Sequence, residues 1–159
     1  MSKYTVSFIG TGAMGSALAA AAVKRVPPGR ILLANRTPAK AEKLAAELGC
    51  AVGSVEEAAA SADYIFLGVK PQMMAGLLEE IAPILSKRTD RFILVSMAAG
   101  VSIARVMELA GRKYPVIRIM PNTPCAVGSG VILYDCGEGV APEELDRFTE
   151  AMAGAGLLD

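Results

Sequence analysis

Residues 6–18 read VSFIGTGAMGSAL and lead from a β-rich apolar run, through a glycine-rich turn, into an alanine-rich stretch. Gly10, Gly12 and Gly15 have the spacing G-x-G-x-x-G. In dinucleotide-binding turns, the first glycine allows the tight turn, the second lets a pyrophosphate approach the backbone, and the third lets the helix pack on the strand. The phosphates lie on N–H groups at the positive end of that helix. The stretch therefore predicts a nucleotide site, and the alternative is a glycine-rich turn without a ligand.

The composition fits one domain with an aliphatic core. The chain has 159 residues, of which 53% are hydrophobic and only 5% are aromatic, as expected for buried parallel strands covered by helices. Lys and Arg number 16, and Asp and Glu also number 16. This balance gives no electrostatic footprint for nucleic acid or an anionic membrane, so we expect neither as a partner.

Histidine is absent, and the three cysteines are scattered. Cys50, Cys125 and Cys136 have neither metal-binding nor redox spacing, so we expect no metal. An odd number of scattered thiols indicates a reducing compartment. Without histidine, a His-based triad and a His general acid are excluded, and any proton donor must be another side chain or water.

The N-terminal segment is uncharged from Tyr4 to Val23, and Ala17-Leu18-Ala19 resembles a signal-peptidase site. Four hydroxyl residues and three glycines interrupt this apolar run, whereas signal peptides and membrane-spanning helices are more continuously apolar. We therefore expect no targeting segment or membrane anchor, and a cytoplasmic location.

Strand and helix patterns alternate along the whole chain. Such alternation predicts an α/β fold of the Rossmann type, a doubly wound, mostly parallel sheet with helices on both faces. After the strand that ends at Gly10, the predicted strands are 30–34, 50–52, 64–69, 92–96, 116–120, 130–134 and a last one beginning at 157–158. The predicted helices are the one that ends at residue 23 and then 39–48, 54–61, 73–85, 102–109 and 142–152.

Asn35-Arg36-Thr37 follows the predicted second strand. In these folds, an acidic residue at this position selects NAD, whereas a basic residue nearby accommodates the 2′-phosphate of NADP. No acidic residue is present, and the planar guanidinium of Arg36 suits a phosphate, with Asn35 and Thr37 adding hydrogen-bonding groups. The segment therefore predicts NADP, with NADPH preferred over NADH. The alternative is that Arg36 is a solvated surface residue.

Further candidates follow later strands, because ligands of open parallel sheets bind outside the carboxyl ends of the strands. Lys70 could place its ammonium group or backbone near the nicotinamide ribose, or it could be an ordinary exposed lysine. Asn122 and Thr123, between two prolines, could be held at the nicotinamide end, or they could form a structural turn. Three nearby residues are expected to be packing residues: Tyr64, Met73 and Met74.

Five stretches in a characteristic order resemble a known family. They are residues 8–15, 35–37, 63–71, 96–102 and 118–124. The glycine turn is shared with many dehydrogenases, but Lys70-Pro71, the small-residue turn near Gly100 and the segment Met120-Pro121-Asn122-Thr123-Pro124 are together far more specific. On these residues, the chain resembles the N-terminal part of pyrroline-5-carboxylate reductase over essentially its whole length.

This resemblance implies an NAD(P)H-dependent imine reductase that converts the small molecule 1-pyrroline-5-carboxylate into L-proline, the last step of proline biosynthesis. It also implies a homo-oligomer in the full-length protein. Asn122 and Thr123 would lie near the reacting ring. The cofactor contacts that the resemblance implies fall on Gly10, Thr11, Gly12, Ala13, Met14, Gly15, Asn35, Arg36, Thr37, Val69, Lys70, Pro71, Ala98 and Ala99.

Two departures from the family pattern affect these expectations. Family members often have an asparagine near the adenosine where this chain has Val55, beside Ser54. They also continue, beyond the point that matches Asp159, into a helical domain that forms the dimer and supplies most of the substrate pocket. We therefore expect residues 1–159 to be the dinucleotide-binding domain without that helical domain, and expect reduction to be largely lost because part of the substrate-positioning machinery is missing.

Two other functions stay open. A related NADP-dependent reductase of another substrate, such as a β-hydroxyacid dehydrogenase or a deazaflavin-dependent NADP reductase, would share the glycine turn, although the segment 120–124 weighs against it. A free-standing, non-catalytic nucleotide-binding module is the second alternative, and the end of the chain at Asp159 is its main support.

Overall fold

An eight-stranded sheet organises the computed structural model, which describes residues 3–121 and 130–158. The strands are β1 (Tyr4–Ile9), β2 (Ile31–Ala34), β3 (Ala51–Val52), β4 (Ala62–Leu67), β5 (Ile93–Ser96), β6 (Val116–Met120), β7 (Gly130–Cys136) and β8 (Gly156–Leu158). The helices are α1 (Ala13–Ala22), α2 (Pro38–Leu48), α3 (Val55–Ser61), α4 (Met74–Lys87), α5 (Ile103–Ala110) and α6 (Pro142–Met152).

The strand order is β3-β2-β1-β4-β5-β6-β7-β8. From β3 to β6 every neighbouring pair is parallel, β6 and β7 are antiparallel, and β7 and β8 are again parallel. Phe8 pairs in register with Leu33 on one side and with Phe66 on the other. The chain builds outward in both directions from β1, so a crevice forms at the carboxyl ends of β1 and β4, where the strand order reverses. The predicted fold class is confirmed.

The central strands are buried on both faces because helices cover each side. Side chains alternate along a strand, so Phe8 and Phe66 face one layer, with ring centroids 4.6 Å apart, while Ile9 and Ile65 face the other. Helices α1, α2 and α6 cover the first layer, and α3, α4 and α5 cover the second. Their buried members include Leu18, Ala41 and Phe148 in the first layer and Ala58, Leu78 and Val106 in the second.

The predicted boundaries differ from the observed ones mainly near glycine and proline. Strand β4 spans Ala62–Leu67 rather than 64–69, because Ala62 already pairs with Tyr4 and the chain leaves the ladder at Gly68. Strand β2 begins after a 3-10 turn at Pro28–Arg30. A second 3-10 turn, Pro71–Met73, precedes α4, which continues to Lys87.

The buried carboxylate of Glu144 fixes α6 to the sheet at its amino end. The guanidinium of Arg91 donates to both carboxylate oxygens, with Nε–Oε2 and Nη2–Oε1 distances of 2.7 Å. The backbone N–H of Ala141 donates to Oε1 at 2.9 Å, and the Tyr64 hydroxyl donates to the Glu144 carbonyl oxygen at 2.5 Å. The hydrogen bond from Arg91 lowers the pKa of Glu144 below its ordinary value of 4.5.

We predict that Glu144→Gln lowers the free energy of unfolding near neutral pH by about 1–3 kcal/mol, since charged hydrogen bonds are lost at a buried site. Because the folded-state pKa lies below the unfolded value, the stabilisation is fully present above pH 4.5 and is lost as the pH falls through the folded-state pKa. Urea unfolding of the parent and the variant, near neutral pH and again below the folded-state pKa of Glu144, measures how the difference in unfolding free energy depends on pH. The exposed neighbour variant Glu143→Gln is the control, and an equal, pH-independent loss in both variants would contradict the assignment.

Candidate nucleotide-binding site

The glycine turn lies at the carboxyl end of β1 and leads into α1. Gly10 has φ +100°, and a Cβ atom there would lie 2.5 Å from the Gly68 carbonyl oxygen. A Cβ at Gly15 would overlap the Gly10 carbonyl oxygen. Gly12 differs, because a Cβ there would meet nothing within 4 Å. The first and third glycines are therefore required by contacts within the protein, whereas the second leaves space for a ligand to approach the backbone.

The N-terminus of α1 and the side chain of Thr11 have unused hydrogen-bonding groups. Gly12 occupies the N-cap position, so no side chain caps the helix, and its first turn contains no acidic residue. Thr11 is only 6% exposed, yet its hydroxyl has no hydrogen-bond partner among the described residues. Buried hydroxyls are nearly always paired, and the first N–H groups of a helix lack intrahelical partners. Both features fit an anionic ligand at this turn.

A cleft of about 340 Å³ opens in front of the glycine turn. Three cations, Arg36, Lys40 and Lys70, lie among the described residues that line it, and no carboxylate does. Lys40 and Lys70 form no ion pair within the described part of the chain. The full lining is Ile9, Gly10, Thr11, Gly12, Asn35, Arg36, Lys40, Val55, Gly68, Val69, Lys70, Met73 and Leu77.

A second groove, of about 560 Å³, adjoins the cleft and shares Asn35, Arg36 and Val55 with it. The charge balance of its lining is the opposite of that of the cleft, because three carboxylates, Glu42, Glu56 and Glu80, line it together with the single cation Arg36. We call this groove the acidic groove. Together, the two cavities form a track from the glycine turn, past the carboxyl end of β2, to the start of α3.

Many of the predicted cofactor residues meet in the cleft. Those in its lining are Gly10, Thr11, Gly12, Asn35, Arg36, Val69 and Lys70. Ala13, Met14 and Gly15 form the first turn of α1, where Met14 packs against the core. The cofactor roles of all these residues stay predictions.

The other predicted site residues lie outside the cleft lining. Thr37 is the N-cap of α2 but makes no capping hydrogen bond, and Pro71 begins the 3-10 turn before α4. Ala98, which is buried, and Ala99 follow β5, the strand beside β4. Asn122 and Thr123 lie outside the described residues.

Six residues of the cleft lining were not predicted from the sequence as site residues: Ile9, Lys40, Val55, Gly68, Met73 and Leu77. Lys40 lies in the first turn of α2, where the helix dipole disfavours a cation, and this misplaced charge is the signal that could have identified it. Met73 was expected to be a packing residue, but its side chain lines the cleft and is 40% exposed. The expectation is wrong because Met73 belongs to the 3-10 turn and not to the apolar face of α4. Tyr64 and Met74 are buried as expected.

The cleft is suited to binding a large anion with apolar parts. Cations and helix N–H groups can hold phosphates, while Val55, Val69 and Leu77 offer apolar surface to a ring. Within residues 3–121 and 130–158, no cluster of three or more His, Cys, Asp or Glu residues could hold a metal ion. The helices of the same ranges include none with the length and hydrophobicity needed to cross a membrane.

Comparison with known proteins identifies the family. Residues 5–100 match the family model described as NADP oxidoreductase, coenzyme F420-dependent. The chain belongs to this family. It is 34% identical over 154 residues to pyrroline-5-carboxylate reductase of Corynebacterium melassecola, covering 96% of this chain and 57% of that protein. It is 36% identical over 142 residues to the Escherichia coli protein of the same name, covering 87% of this chain and 52% of the relative.

The solved structures agree with these relatives. A pyrroline-5-carboxylate reductase from Coxiella burnetii superposes with a TM-score of 0.87 at 26% identity, over 98% of this chain and 58% of the other. The pyrroline carboxylate reductase of Plasmodium falciparum, solved with NADP bound, gives a TM-score of 0.82 at 26% identity, over 100% of this chain and 58% of the other. The resemblance inferred from the motifs is confirmed. The chain spans about half the length of the curated relatives it matches.

The contrast between the first two glycines of this turn gives a direct test of the geometry. We predict that Gly10→Ala lowers the free energy of unfolding by about 2 kcal/mol or more, because it combines a positive φ with a backbone overlap. Gly12→Ala should stay within about 1 kcal/mol of the parent, since the change only weakens a helix cap. Urea unfolding followed by circular dichroism measures both, and equal losses would contradict the described turn.

Proposed function

We propose that this chain is the NADPH-binding domain of a pyrroline-5-carboxylate reductase. The observation that carries the cofactor part is the open glycine turn, where Gly12 leaves space in front of an uncapped helix N-terminus within a cleft lined by three cations. The substrate part is supported by relatives named pyrroline-5-carboxylate reductase, which match 87–98% of this chain.

Each part of the cofactor has a counterpart along the track. The pyrophosphate is proposed to lie on the N–H groups at the start of α1, against Gly12, with the orphaned hydroxyl of Thr11 donating to a phosphate oxygen. Arg36 is proposed to hold the 2′-phosphate, since it follows β2 and faces both cavities. Lys40 adds a second cation beside it.

The adenosine end of this site is less polar than the family pattern implies. Val55 occupies the first position of α3, in place of the asparagine often found there, and it is 8% exposed. The neighbouring hydroxyl of Ser54 already accepts a hydrogen bond from the backbone N–H of Glu57 at 3.1 Å. We infer that the adenosine is held here by apolar contact with Val55 rather than by a side-chain amide.

When bound in this cleft, NADPH would supply a hydride to the imine carbon of 1-pyrroline-5-carboxylate, and a proton delivered to the ring nitrogen would complete L-proline. The residues of this chain bind and orient the cofactor for that step, with Lys70 and Val69 on the side of the cleft formed by the segment after β4. Asn122 and Thr123 keep the role that the resemblance gives them, near the reacting ring.

We infer that residues 1–159 form one cofactor-binding unit and that other parts of the full enzyme complete the substrate pocket and the oligomer interface. The coverage of 51–57% of the curated relatives supports this division. A cytoplasmic location is supported by the three scattered thiols, which indicate a reducing compartment.

A second candidate function is a deazaflavin-dependent NADP reductase, because the matching family model is described by coenzyme F420. Both candidate functions would use the glycine turn and the same NADP site. Only the substrate that reacts with the cofactor distinguishes them. Oxidation of NADPH by coenzyme F420, without oxidation by 1-pyrroline-5-carboxylate, would favour it.

For the main proposal, we predict that calorimetric titration of the 159-residue chain shows binding of NADPH tighter than binding of NADH. Addition of 1-pyrroline-5-carboxylate to the same sample should give little change in nicotinamide absorbance, because the part of the substrate pocket outside this chain is missing. Turnover by this chain alone would contradict the proposal that other parts of the full enzyme complete the substrate pocket. A folded chain that binds neither nucleotide would overturn the cofactor site itself.

The role of Arg36 is tested by Arg36→Asp. NADPH affinity should fall about 10- to 100-fold, since a hydrogen bond to a charged group contributes roughly 1.5–3 kcal/mol, while NADH affinity should change far less. Arg25→Asp, the same charge change at an exposed position in the turn after α1, is the control and should leave both affinities near the parent values. Equal losses for the two cofactors would remove the assigned role.

A further inference from the structure

The carboxylate of Glu80 faces the predicted phosphate-binding arginine. Glu80 lies in α4, and its Oε2 atom is 4.0 Å from Nη2 of Arg36. Both side chains line the acidic groove and remain partly solvated, with 40% of Glu80 and 59% of Arg36 exposed. Glu42 and Glu56 add two more carboxylates to the lining of this groove. Arg36 is the one cation among the described residues that line it.

An ion pair of this kind is easily exchanged for another partner. Exposed pairs at about 4 Å contribute little to stability because solvent screens them. A 2′-phosphate would bring about two negative charges to the same guanidinium, and it must displace Glu80 or share Arg36 with it. A nucleotide that ends in a 2′-hydroxyl meets no such competition, since a hydroxyl carries no charge.

We propose that Glu80 is a specificity-determining residue that reduces the preference of this chain for NADPH over NADH. It acts as a positioning residue, by holding the Arg36 guanidinium and competing with the 2′-phosphate for it. This inference rests on the proposed function, because it requires that Arg36 reads the 2′-phosphate. It adds an acidic determinant on α4, Glu80, to the basic determinant after β2, Arg36, that the sequence predicts.

The preceding residue of the same helix provides a matched control. Glu79 is also exposed, but it lines a different cavity, between α4 and α5, together with Ala82, Pro83 and Glu108. Glu79→Gln and Glu80→Gln therefore make the same change in net charge, one residue apart, on surfaces that line different cavities.

The test is calorimetric titration with 2′,5′-ADP and with 5′-AMP, two probes that differ only in the 2′-phosphate. We expect Glu80→Gln to tighten binding of 2′,5′-ADP by about two- to fivefold, the size of an exposed ion pair, and to leave 5′-AMP unchanged. Glu79→Gln should change neither. The inference would be overturned if Glu80→Gln tightened binding of both probes or of neither. It would also be overturned if Glu79→Gln tightened binding of 2′,5′-ADP.

The same two probes in an Arg36→Gln background separate competition from simple repulsion. If Glu80 acts through Arg36, the additional change Glu80→Gln should no longer tighten binding of 2′,5′-ADP in that background. An increase in affinity as large as in the parent background would show that Glu80 does not compete for Arg36. The two proposals fail differently. A folded parent chain that binds neither probe overturns the nucleotide site, whereas binding that is insensitive to Glu80 overturns only the role of Glu80.

Discussion

The geometry of the site depends on the close approach of three backbone segments at Gly10, Gly15 and Gly68. Gly10 and Gly68 leave the neighbouring strands β1 and β4 at the same edge of the sheet, and a Cβ on either one would lie within 3 Å of the other's carbonyl oxygen. Gly15 brings the first turn of α1 against the Gly10 carbonyl oxygen. Because all three positions lack a side chain, α1 can begin directly at the crevice, and its N-terminus faces the space in front of Gly12. Helix position, crevice width and access to the backbone thus depend on one packing constraint.

Charge is distributed unevenly around this crevice, although the whole chain is neutral, with 16 basic and 16 acidic residues. The cleft in front of the glycine turn is lined by cations, and the adjoining groove is lined mainly by carboxylates. Arg36 belongs to both linings. Local arrangement therefore matters more than net charge for recognition of a phosphate, because exposed charges separated by more than about 8 Å are largely screened at physiological salt.

The sequence predicts the fold well because its strongest signals are local. The G-x-G-x-x-G spacing, the apolar runs and the helix-ending Gly49 each depend on a few neighbouring residues, and the structure places strands and helices there. Predictions failed where the outcome depends on tertiary geometry. Met73 has the same residue type as the buried Met74, but it lies in the 3-10 turn before α4 and is exposed. Glu80 is an ordinary helix residue in sequence, and only the tertiary fold brings its carboxylate to Arg36.

The side chains that anchor α6 to the sheet lie away from the crevice. Arg91 precedes β5, and Tyr64 lies towards the amino end of β4, so their bonds to Glu144 fasten α6 at the amino side of the sheet. Phe148 of α6 stacks against Phe66 within the core, with centroids 6.0 Å apart. Arg36, Lys40 and Lys70, by contrast, are exposed side chains at the carboxyl edge. The cations of the cleft are therefore separate from the residues that anchor α6, and the carboxyl edge can vary in charge while the core and the α6 anchor keep the sheet intact. A loss of nucleotide affinity in a variant of these cations consequently reports on the site and not on the fold.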